Sequence, residues 1–451
     1  MPGVALSRWT MSYFALALLC LLGAEILMTM GIGFPTSDIS APASLIVVHL
    51  VAIGWLSLLL CGALFQFVPV LVARRLYSDL LTLPTLACLA GGLALLLYGF
   101  HQLDSETGTA WNALPFGGLL LMLGFVLALY NLGRTLWSAR PLTLPARFVV
   151  VGLASLVATA LLGVDFTLIL SGASASKPLV ELVALGLPLH VVAGLGGWLT
   201  FTAMGVSYRL LAMFMLAPEL DGATTRGVLR LGIAALAVAI VGGVALIWSG
   251  GEPDWALLAG GLFALGALGL YGRDIGRLYH ERKRRVIELN SRMAAVALGH
   301  LAAAVLLTIV FTATGTLGRH VGALVFLIAF GWLSGLGLAK LYKIVAFLTW
   351  LECYGPVLGR VSAPRVQDLV VEPHAARWFA LYFAAVDFAV LAEFVGAPVI
   401  ARAGLAAMLI ATIAIVAELV RIRRLADVPR ATRLPEGARR PRLLVSVVEN
   451  A

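Results

Sequence analysis

Long apolar runs, separated by short polar stretches, recur along the whole chain. Twelve of them are apolar enough, and long enough, to cross a bilayer core of about 30 Å, which takes roughly 20 helical residues. The pattern therefore predicts an all-α polytopic membrane protein with twelve transmembrane helices. The twelve windows are 11–31, 44–73, 79–101, 113–133, 146–171, 186–216, 227–248, 254–274, 290–314, 320–350, 377–396 and 402–421.

Composition agrees with this pattern. Of the 451 residues, 61% are hydrophobic and only 12% are charged, and the mean hydropathy is +1.00. Soluble domains are only about half apolar. The composition therefore excludes an ordinary soluble protein.

The basic residues fall on one side of the predicted spans. They collect in loops that follow even-numbered spans, such as RDIGRLYHERKRR (273–285), and in the C-terminal tail. Because cytoplasmic loops collect Lys and Arg, both termini are predicted to be cytoplasmic, and the expected setting is a bacterial inner membrane. Membrane insertion and contact with anionic lipids account for the net charge of +9, so lipids rather than nucleic acid are the expected partners.

A motif recurs every fourth span. The second span carries GWLSLLLCGALF (54–65), the sixth carries GWLTFTAMGVSY (197–208) and the tenth carries GWLSGLGLAKLY (331–342). We interpret these motifs as three four-helix units, at about 8–140, 141–280 and 281–425. Together they form a transmembrane domain over 1–425, which a basic cytoplasmic tail follows at 426–451.

A histidine precedes each of the three motif tryptophans. His49 lies six residues before its tryptophan, His190 eight residues and His320 twelve residues. Small residues and tryptophans are also typical of simple helix packing, which is the alternative interpretation of the motif. Packing does not explain the histidines, because an imidazole at bilayer depth is a candidate functional group.

The arrangement resembles the catalytic subunit of the haem-copper oxidase superfamily, which includes cytochrome oxidases and nitric oxide reductases. That subunit has twelve spans, with histidines near the outer ends of spans two, six and ten. The second span is most similar to the reductase branch, through His49, Trp55, Gly62, Phe65, Phe67, Val68 and Pro69.

The resemblance implies a low-spin haem b, with His49 and His320 as its axial ligands and His190 as the alternative to His320. In the superfamily a second centre of haem and copper needs further histidines, including a pair in span seven. Residues 231–250 contain none. We therefore expect a b-type cytochrome in electron transfer or in redox or nitric oxide sensing, served by a cytochrome c or another redox subunit. A complete reductase is not expected, and no catalytic residue is assigned.

The spacing also raises a geometric objection to this pair of ligands. If the tryptophans lie at equal depth, His320 lies six residues further out than His49, which is about 9 Å at 1.5 Å per residue. Two axial ligands should be nearly level with the iron. His49 and His190 differ by only two residues and are the alternative pair.

Other ionisable groups are candidates for supporting roles. His300, inside span nine, is a weak candidate metal ligand, and a hydrogen bond to a neighbouring carbonyl is the alternative. The intramembrane carboxyl groups are expected either to support metal-bound histidines or to pair with each other. They are Glu25, Asp165, Asp387 and Glu393.

Two other functions remain as alternatives. One is haem or copper handling, or a nitric oxide response, as in the NnrS family, with copper as the bound metal. The other is a metal-free transporter that couples a substrate to protons through the same histidines and carboxylates. The sequence contains no nucleotide-binding glycine loop, nucleophile elbow or HExxH zinc motif.

Overall fold

The computed structural model describes residues 7–104 and 111–446. The chain is an all-α polytopic membrane protein, and each of the twelve predicted spans corresponds to a helix. Spans 1 to 12 are Thr10–Thr29, Pro42–Val72, Thr82–Asp104, Leu114–Trp137, Leu144–Leu170, Leu187–Met215, Ala223–Trp248, Asp254–His280, Leu289–Ala313, Leu317–Val357, Glu372–Phe394 and Pro398–Arg423.

Some helices extend beyond the apolar windows. Span 8 continues to His280, six residues past its predicted end. At the end of the predicted window Asp274 is buried, and it accepts hydrogen bonds from the Tyr208 hydroxyl (2.9 Å) and from Thr225 Oγ1 (2.8 Å). The apolar window therefore marks where the helix stops being apolar and not where it ends.

The chain forms two compact units. The first contains residues 1–66 and 288–451, and therefore spans 1 and 9–12 with most of span 2. The second contains residues 67–287, which include spans 3–8. These units are defined by contacts and have different boundaries from the three four-span repeats, which remain a prediction about the sequence.

The recurring motif has the same local structure each time. The Gly-Trp-Leu-Ser/Thr sequences all lie in π-helical segments: Leu50–Ser57 in span 2, Val192–Phe201 in span 6 and Leu327–Ser334 in span 10. We call these the three motif π-segments. A shorter π-helix, Val238–Gly242, lies in span 7. π-Helices are rare and are found frequently at functional sites.

Each motif π-segment packs against the span that precedes it in the chain. Span 1 contacts the segment of span 2, span 5 that of span 6, and span 9 that of span 10. Glycine permits the close approach: a Cβ at Gly197 would lie 2.4 Å from the Ser155 Cβ, and one at Gly331 would lie 2.7 Å from His300 Cδ2. The motif therefore encodes a local packing arrangement as well as a helix.

The C-terminal tail is tied back to the first unit. Arg423, at the end of span 12, donates through Nη1 to Glu352 Oε2 (2.9 Å) and Thr349 Oγ1 (3.1 Å), and through Nη2 to the Arg442 carbonyl. The Ser12 hydroxyl donates to the Leu444 carbonyl (2.6 Å). The described part of the tail is therefore anchored by specific contacts.

The buried ion pair between Arg423 and Glu352 predicts a strong stability effect. Replacing Arg423 with Met leaves the Glu352 carboxylate buried without a counter-charge, which costs about 3–5 kcal/mol of unfolding free energy. The double variant Glu352→Gln/Arg423→Met should recover most of that loss, because neither charge remains. Thermal unfolding of the detergent-purified variants measures the loss of stability in the single variant and its recovery in the double variant. Equal stability of the single variant and the wild type would contradict the prediction.

Candidate functional site

His49 lies at the junction between the α-helical start of span 2 and its π-segment. Its Nδ1 lies 2.7 Å from the Leu45 carbonyl oxygen. Because a carbonyl oxygen only accepts, Nδ1 carries the proton, and Nε2 is the nitrogen with the lone pair in the neutral ring. A backbone carbonyl on the other ring nitrogen is the usual support of a metal-binding histidine.

His320 lies in the first turn of span 10, in an aromatic setting. Its ring stacks on Phe311 with centroids 4.3 Å apart, and Phe394 approaches edge-on at 5.5 Å. Within the described residues, neither of its ring nitrogens has a protein hydrogen-bond partner. The ring nitrogens of His320 are therefore compatible with metal binding, if position is left aside.

The alignment of spans 2 and 10 separates these two histidines. Trp55 Nε1 donates to Ser334 Oγ at 2.8 Å, and a Cβ at Gly337 would lie 3.4 Å from Trp55 Cζ2. The Trp55 side chain therefore contacts span 10 at residues 334–337.

Counting back from this contact gives the offset. Both spans are even-numbered and run in the same direction, so six residues before Ser334 brings Ile328 level with His49. His320 lies eight residues before Ile328, about 12 Å further along the span at 1.5 Å per residue. Counted from this contact, the offset between His49 and His320 is larger than the one predicted from tryptophans at equal depth.

His190 belongs to the second unit. It lies in the short helical turn Leu187–Val191 that leads into the π-segment of span 6. Its ring meets Phe166 edge-on at 5.3 Å, and its Cε1 lies 3.4 Å from where a Cβ of Gly163 would be. His190 therefore rests on span 5, and its place just before a π-segment matches that of His49.

Two candidate carboxyl groups are buried without a charged partner. Glu25 is completely buried; Oε1 accepts a hydrogen bond from Thr412 (2.9 Å), and Oε2 has no partner within the described residues. Both carboxyl oxygens of Asp165, in span 5, are also buried without a hydrogen-bond partner there. Neither group supports a histidine in the described structure, so their role in a metal site remains a prediction.

His300 and Asp387 form a pair in the first unit. His300 Nε2 lies 3.0 Å from Asp387 Oδ1, and Nδ1 lies 2.9 Å from the Val296 carbonyl oxygen. The predicted carbonyl hydrogen bond is therefore present, and Asp387 does contact a histidine. Because both ring nitrogens of His300 are engaged, a ligand role would require Nε2 to leave Asp387.

Sequence reasoning missed two hydroxyl groups beside the π-segment of span 10. Ser334 accepts from Trp55 and donates to the Ala329 carbonyl (2.7 Å), and the Tyr382 hydroxyl donates to the Phe330 carbonyl (3.0 Å). Ser57 makes the bond equivalent to Ser334–Ala329 in span 2, to the Ala52 carbonyl (2.8 Å). The Gly-Trp-Leu-Ser motifs of spans 2 and 10 both end in serine, and this shared serine was the sequence signal that could have pointed to Ser334.

No ready-made metal cluster is visible. Across residues 7–104 and 111–446, no three or more His, Cys, Asp or Glu side chains are grouped so that they could hold a metal ion. Any proposal of a bound metal or haem therefore rests on single candidate ligands such as His49.

Comparisons with known proteins add no family assignment. No protein-family model matches the chain, and no curated protein sequence matches it either.

The contact between Trp55 and Ser334 predicts unequal roles for two equivalent serines. Ser334→Ala leaves the buried Trp55 N–H without an acceptor and should lower the free energy of unfolding by about 1–3 kcal/mol. Ser57→Ala, the matched control, removes the equivalent serine hydroxyl but keeps the acceptor of the Trp55 N–H, and should cost less. Thermal unfolding followed by tryptophan fluorescence measures both, and equal losses would contradict the assigned contact.

Proposed function

We propose that the protein is a membrane haem protein of the oxidase subunit I type, which binds a b-type haem with His49 as an axial ligand. The proposal includes the bacterial inner membrane as its location, with both termini in the cytoplasm. It rests on the setting of one residue: a histidine whose Nδ1 proton is committed to the Leu45 carbonyl, placed directly before a π-segment.

The residues around His49 suit a ligand role. The Nδ1–H bond to Leu45 holds the plane of the ring and makes Nε2 the basic nitrogen, which is the form that binds iron. The π-segment that follows contains the buried Trp55, which Ser334 holds from span 10. A bound b-type haem would supply one-electron chemistry, while these side chains fix the orientation of the imidazole.

The proposal assigns no second ligand. His320 has suitable donor chemistry, but it lies about 12 Å from the level of His49 along the span by the residue count at 1.5 Å per residue. His300 is committed to Asp387. The residues around the proposed haem site therefore provide one axial ligand, His49.

Electron transfer or sensing is favoured over reduction of oxygen or nitric oxide. The pair of copper-binding histidines expected in span 7 is missing from the sequence, where residues 223–248 contain no histidine. A cytochrome c or another redox subunit is the partner that such a role requires.

The first test is the optical spectrum of the detergent-purified protein, oxidised and then reduced with dithionite, together with metal analysis. We expect a sharp b-type α-band in the reduced protein, with about one iron per chain. Absence of haem after expression with ample haem supply would overturn the proposal. Bound copper would then favour metal handling, and a metal-free protein would favour the transporter.

Histidine variants test the ligand assignment. His49→Ala should abolish the haem spectrum, because it removes the proposed iron ligand, whereas His320→Ala should leave it intact, because of the 12 Å offset estimated from the helical rise. His280→Ala is the control, since His280 is exposed at the end of span 8. An unchanged spectrum in His49→Ala, or its loss in His320→Ala, would contradict the assignment.

A further inference from the structure

We propose that His300 and Asp387 form a proton-binding site in the first unit. In this site one proton shared between Nε2 and Oδ1 allows the His300 ring to bond both to its own span 9 and to span 11, beside the π-segment of span 10. The ligand is the proton itself. The proposal goes beyond the haem function, because a haem bound at His49 requires no proton at this pair.

The hydrogen-bond geometry requires the shared proton. The Val296 carbonyl only accepts, so Nδ1 of His300 carries a proton. Nε2 then faces Asp387 Oδ1 at 3.0 Å. Without a further proton, the neutral ring has one N–H for two acceptors, so only one of the two contacts can be a hydrogen bond.

Two arrangements satisfy this contact, and both contain the same number of protons. Either an imidazolium donates to a carboxylate, or a protonated carboxyl group donates to a neutral imidazole. Each is neutral overall, which suits a pair inside membrane-spanning helices, because isolated charges there are expensive. Loss of the proton leaves a net negative charge and removes one of the two hydrogen bonds of the His300 ring, to Val296 or to Asp387.

The pair is mechanically linked to the π-segment of span 10. The His300 ring lies directly on Gly331, where a Cβ would lie 2.7 Å from its Cδ2, and it stacks on Phe383 of span 11 with centroids 5.1 Å apart. Beside Phe383, the Tyr382 hydroxyl donates to the Phe330 carbonyl. Release of the proton would therefore remove one hydrogen bond from a ring that packs directly against the segment that also contains Ser334.

The two side chains of the pair differ in exposure. The side chain of Asp387 is 58% exposed on the surface of span 11, whereas that of His300 is only 10% exposed.

The other titratable groups on the packed elements are further along the helices. Tyr382 is five residues from Asp387, and its hydroxyl donates to the Phe330 carbonyl. The others on spans 9, 10 and 11 are six or more residues from His300, Gly331 or Asp387, which is about 9 Å or more along the helix axis. They are Arg292, Arg319, His320, Lys340, Tyr342, Lys343, Glu352, Cys353, Tyr354, Glu372, His374, Arg377 and Glu393. Asp387 is therefore the titratable group in hydrogen-bond contact with His300.

The test uses the purified full-length protein and the variant Asp387→Asn. The Asn carboxamide can donate from Nδ2 to the neutral Nε2 of His300, so it preserves the contact but removes the titrating proton. The matched control is Glu393→Gln, which changes another carboxyl group of span 11 that has no described histidine contact.

Infrared difference spectra between successive pH values, with a count of the protons released, give the direct readout. In the wild type, carboxyl and imidazole bands should change together in one step that releases about one proton per chain. Asp387→Asn should lose that step, and Glu393→Gln should keep it. The wild-type unfolding temperature should fall as pH rises through the step, because the bond is lost there, and Asp387→Asn should not show this fall.

Retention of the step in Asp387→Asn, its absence from the wild type or its loss in Glu393→Gln would each overturn the proposal. His300→Gln provides a second variant, which should also lose the step. If that variant does not fold, as judged by gel filtration, Asp387→Asn decides alone. The readout needs no haem, so the haem proposal and this one fail independently.

Discussion

The hydrogen bond from Trp55 Nε1 to Ser334 Oγ determines the relative alignment of spans 2 and 10. The bond is buried, and in a bilayer an unpaired indole N–H has no water as a substitute partner. It is the contact from which the offset between His49 and His320 along the two spans is counted. Every argument about a shared ligand site in the first unit depends on that alignment.

The motif π-segments explain why the same short sequence recurs. A π-turn interrupts the regular α-helical hydrogen bonds, and the serines of spans 2 and 10 compensate by bonding to carbonyls five residues earlier. Glycine in the motif lets the preceding span approach closely, as His300 does at Gly331. The motif thus combines helix distortion, polar compensation and tight packing in a few residues.

Three sets of polar groups in the first unit are paired to different extents. Arg423 and Glu352 form an ion pair near the end of the spans. His300 and Asp387 contact each other through Nε2 and Oδ1. Glu25 has a hydroxyl partner for only one of its carboxyl oxygens. Because an uncompensated charge is costly in hydrocarbon, these groups are the polar positions where the spans tolerate substitution least.

The sequence by itself determined the twelve spans, because a helix must present about 20 apolar residues to cross a bilayer. It also located the recurring motif and the histidines that precede it. Only the tertiary structure decided the partners of those histidines, since contacts such as Trp55–Ser334 and His300–Asp387 join residues 279 and 87 positions apart. Hydropathy contains no information on which faces of two helices meet or at what depth. The predicted His49–His320 pair therefore depended on an assumed alignment, and the packing of Trp55 against residues 334–337 replaced that assumption.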